Sequence, residues 1–176
     1  MSRLIHLNGA PGVGKSTLAR RYAADHPGVL VLEIDQLRTM VAGWEDDPLG
    51  AGTRIRTAAL AAITAYLRDG EDVVLPQLIG SAEQLSRFEA AARDADADYA
   101  HVVLTAPPDE VVGRFRSRGD DHPWARQVTA VVDADGGDEA IREWMRRVEA
   151  LDGTRIEAGD VESTYHALVV ALGDDV

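Results

Sequence analysis

Cysteine is absent from this 176-residue chain, so no disulfide framework supports it. None is required, because a chain of this length buries roughly two-thirds of its unfolded surface, and the lack of thiols agrees with a reducing compartment. Basic residues are scarce as well: 18 lysines and arginines face 30 aspartates and glutamates, for a formal charge of −12. Nucleic acids and anionic membranes are held by clustered basic side chains, so both are set aside as partners. The acidic excess lies in three runs, 45–47, 94–98 and 133–139, which read as solvated surface. No apolar run approaches the length of a membrane span, and residues 1–4 lead straight into a strand pattern without a secretory leader. Internal repeats and low-complexity linkers are missing too. A soluble, cytoplasmic protein forming one domain over residues 1–176 is expected.

Lysine is the rarest basic residue, with Lys15 its single occurrence. That excludes a guanine-reading Asn-Lys-x-Asp motif and, with it, a GTPase switch. The one lysine lies in Gly9-Ala10-Pro11-Gly12-Val13-Gly14-Lys15-Ser16, the G-x-x-x-x-G-K-S pattern of a phosphate-binding P-loop. Glycines at 9, 12 and 14 permit backbone conformations closed to residues with a β-carbon. The loop's N–H groups then form an anion-binding nest. Lys15 reaches the β- and γ-phosphates, and Ser16, followed by Thr17, offers a hydroxyl to Mg²⁺. The positive end of the helix starting here adds to the pull.

The flanks supply the context the motif needs. Residues 3–7 read as a short buried strand and 16–24 as a helix. Further strands are predicted at 29–34, 73–75, 99–104 and 154–157. Helices are predicted at 54–67, 82–94, 108–118, 124–132, 139–151 and 161–172. Alternation of strand and helix argues for an α/β fold: a doubly wound, five-stranded parallel sheet with helices on both faces. Ligands in such sheets bind at the carboxyl ends of the strands, where strand order reverses.

Four groups of residues fall at that edge. Asp35 follows the second strand. It is placed either to contact and deprotonate an attacking hydroxyl or to cap the segment 36–41, two roles that can coexist. Glu33, two residues earlier, is expected on the same side of the strand, in support of the metal or its waters, and Arg38 is a candidate for an anionic substrate group. The third strand ends in Pro76-Gln77 where many P-loop proteins carry a metal-holding aspartate. Coordination then falls to Ser16, phosphates, water and Glu33 or Asp35, and Gln77 is a substrate candidate. Arg114, Arg116, Arg118 and Arg126 lie in a stretch, 114–138, that reads as a mobile lid. Arg114 and Arg118, four apart, are expected on one helix face, supplying positive charge over a transferring phosphoryl group. Trp44 is placed to stack on an aryl or nucleobase substrate, or to pack in the core.

These residues together resemble the small P-loop kinases built on the nucleoside-monophosphate-kinase plan. The spacing of the P-loop, Ile34-Asp35-Gln36-Leu37 and the arginine helix is similar to that of chloramphenicol phosphotransferases. Val74-Leu75-Pro76 and Arg114-Phe115-Arg116-Ser117-Arg118, followed by Trp124-Ala125, resemble the tunicamycin-resistance P-loop proteins. The resemblance implies a P-loop NTPase fold with a short helical lid, Asp35 as the base, Arg114 stacked on adenine and Arg118 on phosphate. It implies ATP and Mg²⁺ as cofactors and a small-molecule alcohol as substrate, foremost an antibiotic, with nucleoside antibiotics as one class. Two alternatives accompany it. One is a metabolic kinase for a sugar acid, shikimate-like acid or nucleotide, for which Arg38, Arg54 and Arg56 are the available arginines. The other is an ATP-dependent protein that sequesters a drug unmodified. Nothing in the residue pattern specifies an oligomer.

Overall fold

The computed structural model describes residues 1–119 and 122–174. Asp120 and Asp121, the paired aspartates of the expected lid, lie outside the described residues. The elements run β1 (Arg3–Asn8), α1 (Lys15–Asp25), β2 (Leu30–Val31), α2 (Ile34–Thr39), α3 (Pro48–Arg68), β3 (Val73–Pro76), α4 (Ala82–Arg93), β4 (Asp98–Thr105), α5 (Pro108–Ser117), α6 (Pro123–Ala134), α7 (Asp138–Glu149), β5 (Thr154–Glu157) and α8 (Val161–Leu172). The sheet is parallel throughout, in the order β2-β3-β1-β4-β5. The chain leaves β1 for one side of the sheet and later crosses to the other, so the crevice of reversal opens beside the end of β1.

Strand alternation divides the core into two layers. Ile5, Leu7, Val74, Val102 and Leu104 face one way and pack with residues of α1, α5, α7 and α8. Leu4, Val73 and Leu75 face the other way, against α3 and α4. Helices therefore cover both faces, as the alternating pattern predicts. Among the described residues no helix is long and apolar enough to cross a membrane.

Two elements depart from expectation. The apolar run 29–34 reads as one strand, yet ladder pairing covers only Leu30 and Val31, with one further bond from Leu32 N–H to the Val74 carbonyl. Ile34 is fully buried at the start of α2, packed in the α3–α4 layer, so its apolar character serves a helix. The helix expected from residue 54 begins at Pro48. Asp47 caps it by accepting a hydrogen bond from the Gly50 N–H at 2.9 Å, and Pro48 takes the first position, where no N–H is needed. Gly50 and Gly52 disguise this start. Gly52 is small for a reason of packing: a Cβ there would come 3.1 Å from the Arg38 guanidinium carbon.

Candidate active site

The loop between β1 and α1 has the backbone that its glycines allow. Gly12 (φ +92°) lies against α5, where a Cβ would come 2.7 Å from the Val111 carbonyl and 2.9 Å from the Phe115 nitrogen. Gly14 (φ +108°) faces open space and is required for its left-handed conformation alone. Ala10 and Val13 are buried, pinning the loop to the core. Lys15 folds back over the loop and donates to the Gly9 carbonyl at 2.8 Å and the Ala10 carbonyl at 3.0 Å. Burial pushes its ammonium down to about 8; Arg118 adds to the fall and Asp35 opposes it. One helical step on, the Ser16 hydroxyl donates to Glu33 Oε2 at 3.3 Å, and Glu33 Oε1 receives Arg20. Glu33 is thus held at the loop from the N-cap position of α2, not from a strand. Thr17 is exposed on the next position of α1.

A cavity of about 260 Å³ opens on the far side of the loop. Gly12, Thr17 and Arg114 line one wall, and Ala158, Gly159 and Thr164 line the other, from the turn between β5 and α8. Arg114 also pairs with Glu110 at 2.9 Å, one helical turn back.

On the opposite flank, Asp35 stands in the first turn of α2. It is not the helix cap: Glu33 holds that position, and neither residue makes a capping bond. Asp35 Oδ1 is buried without a hydrogen-bond partner, and the nearest cation, Arg38, is 3.5 Å away. Burial raises the Asp35 carboxyl above its ordinary range; Arg38, Lys15 and the side chains of Trp124 and Gln77 hold it back. The group is nevertheless reachable, with 36% of its side-chain surface exposed.

Arg38 is only 9% exposed. Its guanidinium lies between Gly52 of α3 and the indole of Trp124, 3.8 Å from the ring centre. Trp44 is 8% exposed and meets Trp124 with ring centres 6.1 Å apart, so it packs beside this stack. Gln77 is buried at the end of β3, with its Oε1 unpartnered.

Arg118 ends α5 with extended backbone, which breaks the one-face relation with Arg114 expected from a continuous helix. It crosses to α6 instead, donating to the Ala125 carbonyl at 3.0 Å and lying 4.1 Å over the Phe115 ring. Arg116 clamps Asp133 and Asp138, tying α5 to the ends of α6 and α7. Arg126 is exposed on α6.

Two features of the site carry little mark in the sequence. Trp124 stands in the sequence only as part of a Trp-Ala pair, and its spacing from Arg38 gives no hint of contact. Asn8 ends β1, where its side-chain oxygen accepts from the Gly9 N–H at 2.9 Å and the Ile79 N–H at 3.0 Å, and its amide donates to the Ile79 carbonyl at 2.9 Å. This side chain ties the start of the P-loop to the segment leaving β3. Beneath it His6 bonds the Gln77 carbonyl at 2.9 Å, and burial drives its imidazole down to about 3, keeping it neutral. The available signal was an asparagine and a histidine in an otherwise apolar strand.

A family model described as an AAA domain matches residues 4–151. No curated protein matches the chain by sequence. Among solved structures the chain is similar to the tunicamycin resistance protein of Deinococcus radiodurans, with TM-score 0.70 and 20% identity over 99% of this chain and 98% of that one. It is also similar to a shikimate kinase from Bacteroides thetaiotaomicron, with TM-score 0.65 and 16% identity over 98% of both chains. A gluconokinase from Sinorhizobium meliloti follows, with TM-score 0.58 and 18% identity over 98% of this chain and 91% of that one. At such identities the likeness is one of fold, and the fold is P-loop kinase-like.

Proposed function

Because this chain belongs to the AAA-domain family and carries a P-loop kinase-like fold, we propose that it is an ATP- and Mg²⁺-dependent phosphotransferase acting on the hydroxyl of a small molecule. The observation that carries this reading is the pairing of a P-loop lysine with a carboxylate. Asp35 has a buried, unpartnered oxygen within the electrostatic reach of Lys15. A carboxylate raised by burial and still open on one side is suited to take a proton from an alcohol.

Residues 1–176 act as one kinase domain in this reading, with 114–138 as its lid. Lys15 exchanges the Gly9 and Ala10 carbonyls for the phosphate oxygens of ATP, while the amides of the loop from Gly12 to Thr17, including those of Val13 and Gly14, turn toward the same charge, and Gly9, whose N–H is held by Asn8, shapes the start of the loop. Pro11 lacks an N–H, so it shapes the loop without binding. The cavity under Arg114 receives the adenine ring. Arg118 and Arg126 supply cationic charge over the transferring group. Asp35 orients and deprotonates the acceptor, flanked by Arg38, Gln77 and the Trp44–Trp124 pair. The Ser16 hydroxyl and the Glu33 carboxylate, already 3.3 Å apart, are the donors that would hold Mg²⁺ in the absence of an aspartate after β3. A Mg²⁺ ion held by these two residues would supply positive charge against the negative charge of the phosphates.

The acceptor class placed first is an antibiotic, nucleoside antibiotics included, with resistance as the outcome; the likeness to a tunicamycin resistance protein supports it. Incubation of purified protein with Mg²⁺-ATP and an antibiotic panel, read by ADP release and by mass spectrometry of the drug, tests the proposal. Gain of one phosphoryl mass is the expected result. Retention of a drug at its original mass identifies a sequestering protein instead.

A further inference from the structure

A side-chain amide has an accepting end and a donating end, and Asn8 uses both. Its Oδ1 takes the N–H groups of Gly9 and Ile79, and its Nδ2 donates to the Ile79 carbonyl. Backbone groups have fixed roles, so they set the orientation of this amide. The second hydrogen of Nδ2 goes to Nε2 of His101, 3.1 Å away on β4, the strand paired with β1. That ring nitrogen must accept, which leaves the imidazole proton on Nδ1. Nδ1 stands 2.5 Å from the Asp152 carbonyl, in the turn before β5. A donor on one side and an acceptor on the other admit a single neutral tautomer. Gly153 leaves room for the ring, since a Cβ there would come 2.7 Å from Nδ1.

Protonation breaks this arrangement. It puts a hydrogen on Nε2, and two donors then meet across 3.1 Å. Turning the ring over gains nothing, because both nitrogens of an imidazolium donate. Turning the Asn8 amide over sets its donors against the N–H groups of Gly9 and Ile79. The neighbours supply no compensating charge. His101 stacks on Tyr99, and its centre lies 5.1 Å from that of His6, an imidazole held neutral by burial. Burial keeps the Tyr99 phenol neutral as well, with Glu89 of α4 acting in the same direction. In the flanking elements, Arg155 of β5 is held by the Glu149 and Leu151 carbonyls and Arg147 of α7 by Glu143.

We infer that His101 is a positioning residue for nucleotide capture: as its neutral Nδ1–H tautomer it holds Asn8, and Asn8 holds the Gly9 end of the phosphate loop. This rests on the phosphotransfer reading, in which that loop takes the phosphates of ATP. A proton on His101 therefore competes with nucleotide, and affinity falls as pH drops. Burial lowers the imidazole from its ordinary 6.5, against the pull of the Asp152 carbonyl, which puts the fall below that value. Direct attraction between an imidazolium and phosphate would act with the opposite sign.

Nuclear magnetic resonance and calorimetry test this on the whole chain. At about pH 7.5, the ¹⁵N shifts of His101 should report the Nδ1–H form. Acidification continues until those shifts report a protonated ring. Over that step Gly9 amide protection should fall more than that of Val103, and affinity for a Mg²⁺-loaded ATP analogue should drop by up to about tenfold per pH unit relative to His101→Gln. Glutamine offers a non-titrating acceptor to Asn8. His101→Phe offers none and should bind about fivefold more weakly than wild type at pH 7.5, the factor of one ordinary hydrogen bond; His101→Gln should recover most of that loss. His166→Gln, exposed on α8, should keep the wild-type profile. An Nε2–H ring, a ring neutral until the protein unfolds, a pH profile shared with His101→Gln, or tighter binding on protonation overturns the inference. Absence of analogue binding by wild type at pH 7.5 overturns the phosphotransfer reading instead, and leaves the tautomer and the Gly9 exchange to be read.

Discussion

The guanidinium carbon of Arg38 sits 3.8 Å from the centre of the Trp124 indole, joining α2 to α6 across the cleft. A desolvated contact of this kind is worth about 2 kcal/mol. Trp124→Ala is therefore expected to lower Tm by roughly 4–8 °C, at about 2–4 °C per kcal/mol for a chain of this size. Trp124→Phe should recover part of the loss. Affinity for Mg²⁺-ATP should stay within about twofold, because the indole is on the Asp35 flank of the loop. Differential scanning calorimetry and nucleotide titration check both; an unshifted Tm in Trp124→Ala means that the stack contributes nothing in solution.

Asp35→Asn separates binding from chemistry. Nucleotide affinity is expected to hold, while turnover falls by about 10²-fold or more, the range of a lost general base. The same variant should be more stable than wild type at neutral pH. The raised Asp35 carboxyl means that its charged form is disfavoured in the folded state, so its contribution is lost as pH rises through the folded value. The gain from Asn should fade on acidification below the ordinary aspartate range. Single-turnover ADP release and Tm against pH read the two effects. Unchanged turnover would remove Asp35 from the mechanism.

Lys15 carries the opposite sign. Its ammonium is lowered from 10.5 to about 8, so between those values the unfolded chain binds a proton that the folded chain has released. Wild-type stability gains from this group as pH rises through that window. The difference in Tm between Lys15→Met and wild type should therefore move in favour of wild type from pH 8 to 10.5, whatever its value at neutrality. Nucleotide binding by Lys15→Met should be lost at all pH values. A pH-independent difference contradicts the burial of the ammonium.

Asn8→Ala leaves the Gly9 N–H and both polar groups of Ile79 without their partner. Unsatisfied buried groups cost about 1–3 kcal/mol each. A loss of about 3 kcal/mol or more is expected, read as a Tm lowered by roughly 6–12 °C. The damage should be concentrated at the phosphate loop, with hydrogen exchange of the Gly9 amide rising more than that of Val103 in β4. Uniform exchange through both strands would assign Asn8 to general packing.

The parts of this molecule legible in the sequence are those governed by local chemistry. The P-loop glycines, the strand at 73–75 (to which the structure adds Pro76), the strand at 154–157 and the helix at 161–172 follow from patterns a few residues long. The apolar run 29–34 outlasts its strand because Ile34 is apolar for the sake of α3, a partner invisible to a window around residue 34. The start of α3 is hidden because Gly50 and Gly52 lower helix propensity, and the compensation for Gly52 is a guanidinium fourteen positions earlier in the chain. The same distance effect hid Trp124. Its value lies in what it covers, and that is set by the crossing of α6 over α2. Asp35 was legible as an acid at a strand's edge, whereas the orphaned state of its oxygen depends on neighbours from α6 and the end of β3.

The tether of Lys15 to the Gly9 and Ala10 carbonyls has a consequence for cellular chemistry. Every enzyme or metabolite that acylates, glycates or conjugates a lysine side chain has one target here, and it is the amine to which the proposed function gives the nucleotide's phosphates. Under that proposal such a modification cannot decorate this protein silently: it would abolish phosphate capture, and bound nucleotide would shield the chain from it.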